Sequence, residues 1–179
     1  MVDAKHKEER PVLIRQAASP ANIQAVIACF NAYMSWLDED VSFQDYDDEK
    51  KILPGAYSPP TGALLLAVDA ETDQTLGCIA FRPLRLHAPY ADSLGAGRTG
   101  CEMKRLFVFP EARGRRVSRL LIGEALTRAR DGGYDDIVLD TLPKMTTALA
   151  LYKSEGFEEM ARYYYSPLPG TVYLRKRLR

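Results

Sequence analysis

Apolar and polar positions along this chain alternate with two different periods, and the switches between them mark out its elements. Val12 to Gln16 reads as a short first strand. Ser19 and Pro20 then supply a helix cap and a residue pre-set for the first turn. After them Ile23, Val26, Ile27, Phe30, Met34 and Leu37 recur at helical spacing. The acidic segment Asp38 to Asp48 ends that helix, and a second, weaker helix is expected over Tyr46 to Leu53. Pro54 to Gly62 is loop by composition. The apolar runs Ala63 to Val68 and Leu76 to Arg82, separated by the polar DAETDQ, predict a hairpin. Pro83 to Gly100 shows little periodicity and reads as a long irregular connection.

The second half follows a different rhythm. A strand over Glu102 to Phe109 leads to a helix over Val117 to Arg130, closed by Asp131, Gly132 and Gly133. Its buried face is Val117, Leu120, Leu121, Ala125 and Ala129. Asp136 to Thr141 is the next strand, and Lys144 to Ser154 a helix that stops at Gly156. Phe157 to Tyr165 and Val172 to Arg177 read as two closing strands around SPLPG. A strand–helix–strand run implies parallel neighbours joined by a right-handed crossover, whereas the hairpins are antiparallel. The expected class is therefore α/β, a mixed sheet with helices on both faces. Residues 1–10 read as a flexible tail and 11–179 as one domain.

Composition narrows the function classes. Apolar residues make up 46% and charged residues 27%, which describes a globular chain. Formal net charge is zero, whereas a dedicated nucleic-acid binder carries a large positive excess. Cys29, Cys78 and Cys101 lie far apart in apolar runs and read as buried hydrophobes, not as disulfide partners or metal ligands. MVDAKHKEER is too polar for a signal peptide, and no apolar run approaches membrane-spanning length. A cytoplasmic protein without membrane, nucleic-acid or metal partners is expected.

Against that neutral background Cys101 to Leu126 stands out. A strand runs into Pro110, then Gly114 and four arginines, Arg113, Arg115, Arg116 and Arg119, and opens directly into the helix. Free N–H groups and the positive dipole end of a helix form an anion site. Guanidinium forks beside it suit phosphate oxygens, and a pyrophosphate fits both.

This layout resembles the acyl-CoA signature Q/R-x-x-G-x-G/A of the GNAT superfamily of N-acyltransferases, which falls here on Arg113, Gly114, Arg115, Arg116, Val117 and Ser118. Arg116 stands where the family prefers glycine, and Ser118 where it prefers glycine or alanine. ALALYKSEGF resembles the family's A-x-x-LY-x-x-x-GF run, with Met145 where many relatives carry a CoA-contacting asparagine. The resemblance extends from about Val12 to Arg177 and implies a centrally splayed sheet with acetyl-CoA as co-substrate.

It also assigns roles. Tyr152 would return a proton to the departing thiolate, because a phenol with an ordinary pKa near ~10 keeps its proton at neutral pH. Glu102 would accept the amine proton, directly or through water. The backbone of Leu106, Phe107 and Val108 would receive the pantetheine arm and polarise the thioester. The acceptor site would draw on Tyr33, Trp36, Asp38, Glu39, Tyr90 and Tyr163 to Tyr165, carboxylates among aromatics that suit a cationic amine. His87 is a lone loop histidine at the surface. The reading is acetyl transfer to a small-molecule primary amine in a ternary complex, by a monomer or homodimer of a bacterial small-molecule branch. Its rival is a degenerate GNAT-fold module that binds CoA as a sensor or partner-binding unit without turnover.

Overall fold

The computed structural model describes residues 11–37 and 46–179, so the tail expected over residues 1–10 lies outside the described residues. Among the described residues seven strands form one sheet in the order β1 (Val12–Gln16), β2 (Ala63–Asp69), β3 (Thr75–Pro83), β4 (Gly100–Val108), β5 (Asp136–Thr141), β7 (Val172–Arg177) and β6 (Glu158–Glu159). Only β4 and β5 pair in parallel. The connection between them is α3 (Val117–Asp131), the crossover that the strand–helix–strand run predicts.

Alternation along the central strands sends residues to two cores. Leu64, Leu66 and Val68 of β2 meet Val26, Cys29 and Phe30 of α1 (Pro20–Leu37) on one face, with Tyr46 of α2 (Tyr46–Lys51). Ala63, Leu65 and Ala67 meet Leu121, Ile122 and Ala125 of α3 on the other, with Tyr152 of α4 (Thr146–Ser154). Every residue of β2 is buried, as a central strand covered by helices on both sides requires. The three cysteines are free and buried. No helix among the described residues is long and apolar enough to cross a membrane.

Two departures from the expected elements bear on the site. The strand expected over Phe157 to Tyr165 ends at Glu159, and the chain then turns in over the sheet. Its tyrosines, read as strand formers, pack as rings instead: Tyr163 lies 5.4 Å and Tyr164 5.5 Å from Tyr173 on β7. The second departure is a bulge in β4. Cys78 pairs with Phe107 and Ala80 with Lys104, so Arg105 and Leu106 share the space opposite one residue of β3. Arg105 takes a left-handed φ of 62° there. Gly77 is needed beside the bulge, because a Cβ at that position would sit 2.3 Å from the Phe107 carbonyl oxygen.

Candidate active site

The β4–β5 ladder covers Gly100 to Glu102 against Asp136 to Val138 and then stops. Beyond it β4 stays with β3, and β5 stays with β7 through Thr141. The sheet therefore splays at its centre, and a cavity of about 110 Å³ occupies the gap. Met103, Leu106, Leu139, Ala148 and Tyr152 give it apolar walls, and Lys104 and Asp140 give it charge. Of the predicted strand residues only Leu106 lines this cleft; Phe107 turns to the α1 side, 6.2 Å from Tyr33, and Val108 packs on the α3 core.

Tyr152 is 8% exposed, its ring set edge-on to Phe157 at 5.7 Å. Burial, with Tyr33 and Asp140 adding to it, pushes the Tyr152 phenol above its usual range, so the group keeps its proton at neutral pH. Glycine stops the helix just beyond it: Gly156 has φ 81°, and the Phe157 amide returns to the Tyr152 carbonyl at 3.0 Å.

At the mouth of α3 the four arginines divide. Arg115 donates to Asp69 at 2.9 Å, and Arg119 bonds Glu155 and, at 3.0 Å, the Ser154 hydroxyl. Arg113 and Arg116 are exposed, and their side chains form no hydrogen bond or ion pair with a described residue. No side chain caps α3, so the amides of its first turn remain to be satisfied. Arg116 is its N-cap, with a left-handed φ of 58°. That backbone explains why the resembled signature prefers glycine here, since only glycine reaches it without a Cβ penalty. The loop fits a pyrophosphate on this ground: it offers first-turn amides and two uncommitted guanidiniums. Met145 is the N-cap of α4 and lines the cleft, where a polar contact would otherwise be available.

Glu102 lies on the other side of Lys104. It is 6% exposed and faces a second, wider cavity of about 740 Å³. Its Oε1 accepts from the Tyr163 hydroxyl at 2.9 Å and meets Lys104 Nζ at 3.1 Å, while Oε2 accepts from Arg82 at 3.2 Å. Lys104 also bonds Asp140 at 2.9 Å. Arg82 approaches Glu49 at 3.8 Å, and Glu49 receives Arg105 at 3.0 and 3.2 Å. Six charges of alternating sign thus run from Asp140 to Arg105, and Lys104 and Arg105 line both cavities. Burial opposes the charge on Lys104, but Asp140 and Glu102 outweigh it and hold its ammonium above the usual range. Burial likewise opposes ionisation of Asp140, and Lys104 keeps its carboxyl below the usual range.

Sequence reasoning missed Glu49, Arg82 and Asp140, which carry half of this chain. The one available signal was the placement of Arg82 and Asp140 at or next to the ends of predicted strands; Glu49, in the middle of a predicted helix, had none. Of the expected acceptor residues, Tyr33 lines the cleft and Tyr163 to Tyr165 line the wide cavity. Trp36 is half-exposed and Tyr90 lies beneath Arg162, and neither lines a cavity described here. Asp38 and Glu39 lie outside the described residues, and His87 is exposed.

A splayed sheet, an uncapped helix at its mouth and a buried tyrosine in the gap define an acyltransferase scaffold. The chain belongs to the acetyltransferase (GNAT) family, whose model matches residues 25–157. An uncharacterized N-acetyltransferase of Schizosaccharomyces pombe is 39% identical over 80% of each chain. One of Dictyostelium discoideum is 29% identical over 88% of this chain and 95% of its own. Both are eukaryotic, which corrects the expectation of a bacterial branch. Among solved structures, a GNAT acetyltransferase of Staphylococcus aureus superposes with a TM-score of 0.68 at 18% identity, covering 94% of this chain and 100% of its own. A Salmonella typhimurium structure containing its cofactor acetyl-CoA gives 0.67 at 18% identity, over 94% of each chain.

Proposed function

We propose that residues 11–179 act as one acyltransferase domain that moves an acetyl group from acetyl-CoA to a primary amine of a small molecule, by direct attack in a ternary complex. One observation carries the reading: the strands part above a buried, protonated tyrosine, with an uncapped helix and two uncommitted arginines at the mouth. Acetyl-CoA would supply the activated acyl group as a thioester. Arg113, Gly114, Arg115, Arg116, Val117 and Ser118 would hold its pyrophosphate, Arg115 through its backbone because its side chain is tied to Asp69. The β4 backbone at Leu106 to Val108 would align the acyl group. Glu102 takes the amine proton on the wide-cavity side, and Tyr152 protonates the sulfur on the cleft side. The protein works in the cytoplasm, as a monomer or homodimer, without nucleic-acid or membrane partners.

A second reading, a CoA-binding module without turnover, is favoured by the engagement of both Glu102 oxygens. Thiol release from acetyl-CoA in the presence of a primary-amine library, with mass-spectrometric detection of the acetylated amine, separates the two. Release above the amine-free rate supports the enzyme; CoA binding without release selects the module.

A further inference from the structure

The wide cavity carries information about its occupant. Four cations line it against three carboxylates, Asp48, Glu49 and Glu102. All three carboxylates are already engaged: Glu49 by Arg105, Glu102 by Lys104 and Arg82, and Asp48 by Lys51 at 2.8 Å. The carboxylates expected to suit a cationic amine, Asp38 and Glu39, lie outside the described residues, and those that line this cavity are paired with cations. The donors are what remain. Arg82 gives Nε and Nη2 to Glu102, but among the described residues its Nη1 has only Glu49 at 3.8 Å, beyond hydrogen-bond reach. Arg85 lines the same cavity, is exposed and has no ion pair with a described residue. Tyr57 lines it too, 2% exposed, with a buried hydroxyl that has no hydrogen-bond partner among the described residues. The Arg82 guanidinium lies 5.9 Å from the Tyr57 ring centre. A buried polar group without a partner is uncommon in folded proteins and marks a place where a ligand can complete the bonding.

Arg82 and Tyr57 lie together in this lining, next to Glu102 in the middle of the charge chain. We propose that the acceptor is an α-amino acid with a large apolar side chain, its carboxylate held by Arg82 and Tyr57 and its amine presented to Glu102. A carboxylate is the planar anion that a guanidinium edge recognises. The adjacency of Arg82 and Glu102 matches a molecule whose amine and carboxylate share one carbon. Ile52, Leu53, Pro54 and Leu84 supply apolar lining for the side chain. The inference rests on the acyltransferase reading. In the transfer the amine nitrogen bonds the acetyl carbon as the carbon–sulfur bond breaks. The nitrogen's proton leaves to Glu102, Tyr152 gives one to sulfur, and both groups then re-equilibrate with solvent.

The test compares CoA-thiol release from acetyl-CoA with phenylalanine and phenethylamine, leucine and 3-methylbutylamine, and spermidine, alongside calorimetric titration with acetyl-CoA. The expected result is kcat/KM at least ~10-fold higher for each amino acid than for its decarboxylated partner, because the unmet donors reject an analogue without the carboxylate. Arg82→Met should erase that ratio by raising KM for the amino acids, Arg82→Lys should restore part of it, and acetyl-CoA affinity should hold in both. Equal or faster turnover of the decarboxylated amines or spermidine overturns the inference, as does an Arg82→Met variant that slows both members of each pair alike. Acetyl-CoA binding without release to any of these amines also overturns it. If acetyl-CoA itself does not bind, the acyltransferase reading falls as well.

Discussion

The two cavities on either side of Lys104 and Arg105 are built in different ways. The cleft between β4 and β5 is a product of backbone: two parallel strands pair for three residues and part, and apolar side chains with one tyrosine line what is left. The wide cavity is a product of side chains drawn from α2, β3, β4 and the segment after β6, tied by ion pairs. The first depends on strand order, which a whole fold family shares. The second depends on individual residues from distant segments, and it is there that choice of acceptor would reside.

The residue whose loss should blur this contrast most is Lys104. Lys104→Met leaves Glu102 and Asp140 without the cation between them, which should cost about 3–5 kcal/mol of stability in a denaturant titration. The sign with pH follows from Asp140. Its carboxyl is lowered in the folded protein, so its contribution is present above the ordinary aspartate value near ~4 and is lost as pH falls through the lowered one. The gap between variant and wild type should therefore narrow on acidification; a gap constant with pH would mean that Lys104 acts by packing alone.

Tyr152→Phe probes the cleft alone. Loss of the proton donor should lower kcat roughly 100-fold while acetyl-CoA affinity stays within about twofold. A variant that loses affinity instead would make Tyr152 a wall and not a donor. Arg113→Ala, at the mouth of α3, should weaken acetyl-CoA binding about tenfold and leave the amino-acid preference of the wide cavity unchanged. Equal loss in both properties would show that the two regions are not separable. The smallest effect is expected from Arg116→Gly. Relief of the left-handed backbone should raise stability by up to ~1 kcal/mol, read as a higher midpoint of thermal unfolding.

The same contrast decides what could be read from the sequence. The sequence of elements, the crossover and the arginine-rich helix start were legible because each has a local signal: a period, a cap or a glycine. Tyr152 was singled out by the resemblance of ALALYKSEGF to the family's run. The bulge at Arg105 has no such signal, since an arginine at φ 62° is held there by Glu49, 56 residues away in the chain, and by the Tyr46 ring 4.9 Å from its guanidinium. Tyr163 to Tyr165 misled for a related reason. Tyrosine favours strands in general, but here the Tyr163 and Tyr164 rings pack edge-on against Tyr173 and the Tyr163 hydroxyl reaches Glu102, which draws the segment away from the sheet edge. Local patterns thus delivered the elements, the resemblance implied the cleft between two of them, and long-range charge pairing hid the wider cavity.

The central claim is that acetyl-CoA lies along the β4–β5 gap with its phosphates at the start of α3. Calorimetric titration of the full chain with acetyl-CoA, beside Arg113→Ala and Tyr152→Phe, tests it most directly. Micromolar binding by the wild type, weakened by Arg113→Ala and spared by Tyr152→Phe, is the predicted result. No binding by the folded wild type, or binding indifferent to Arg113, would contradict it.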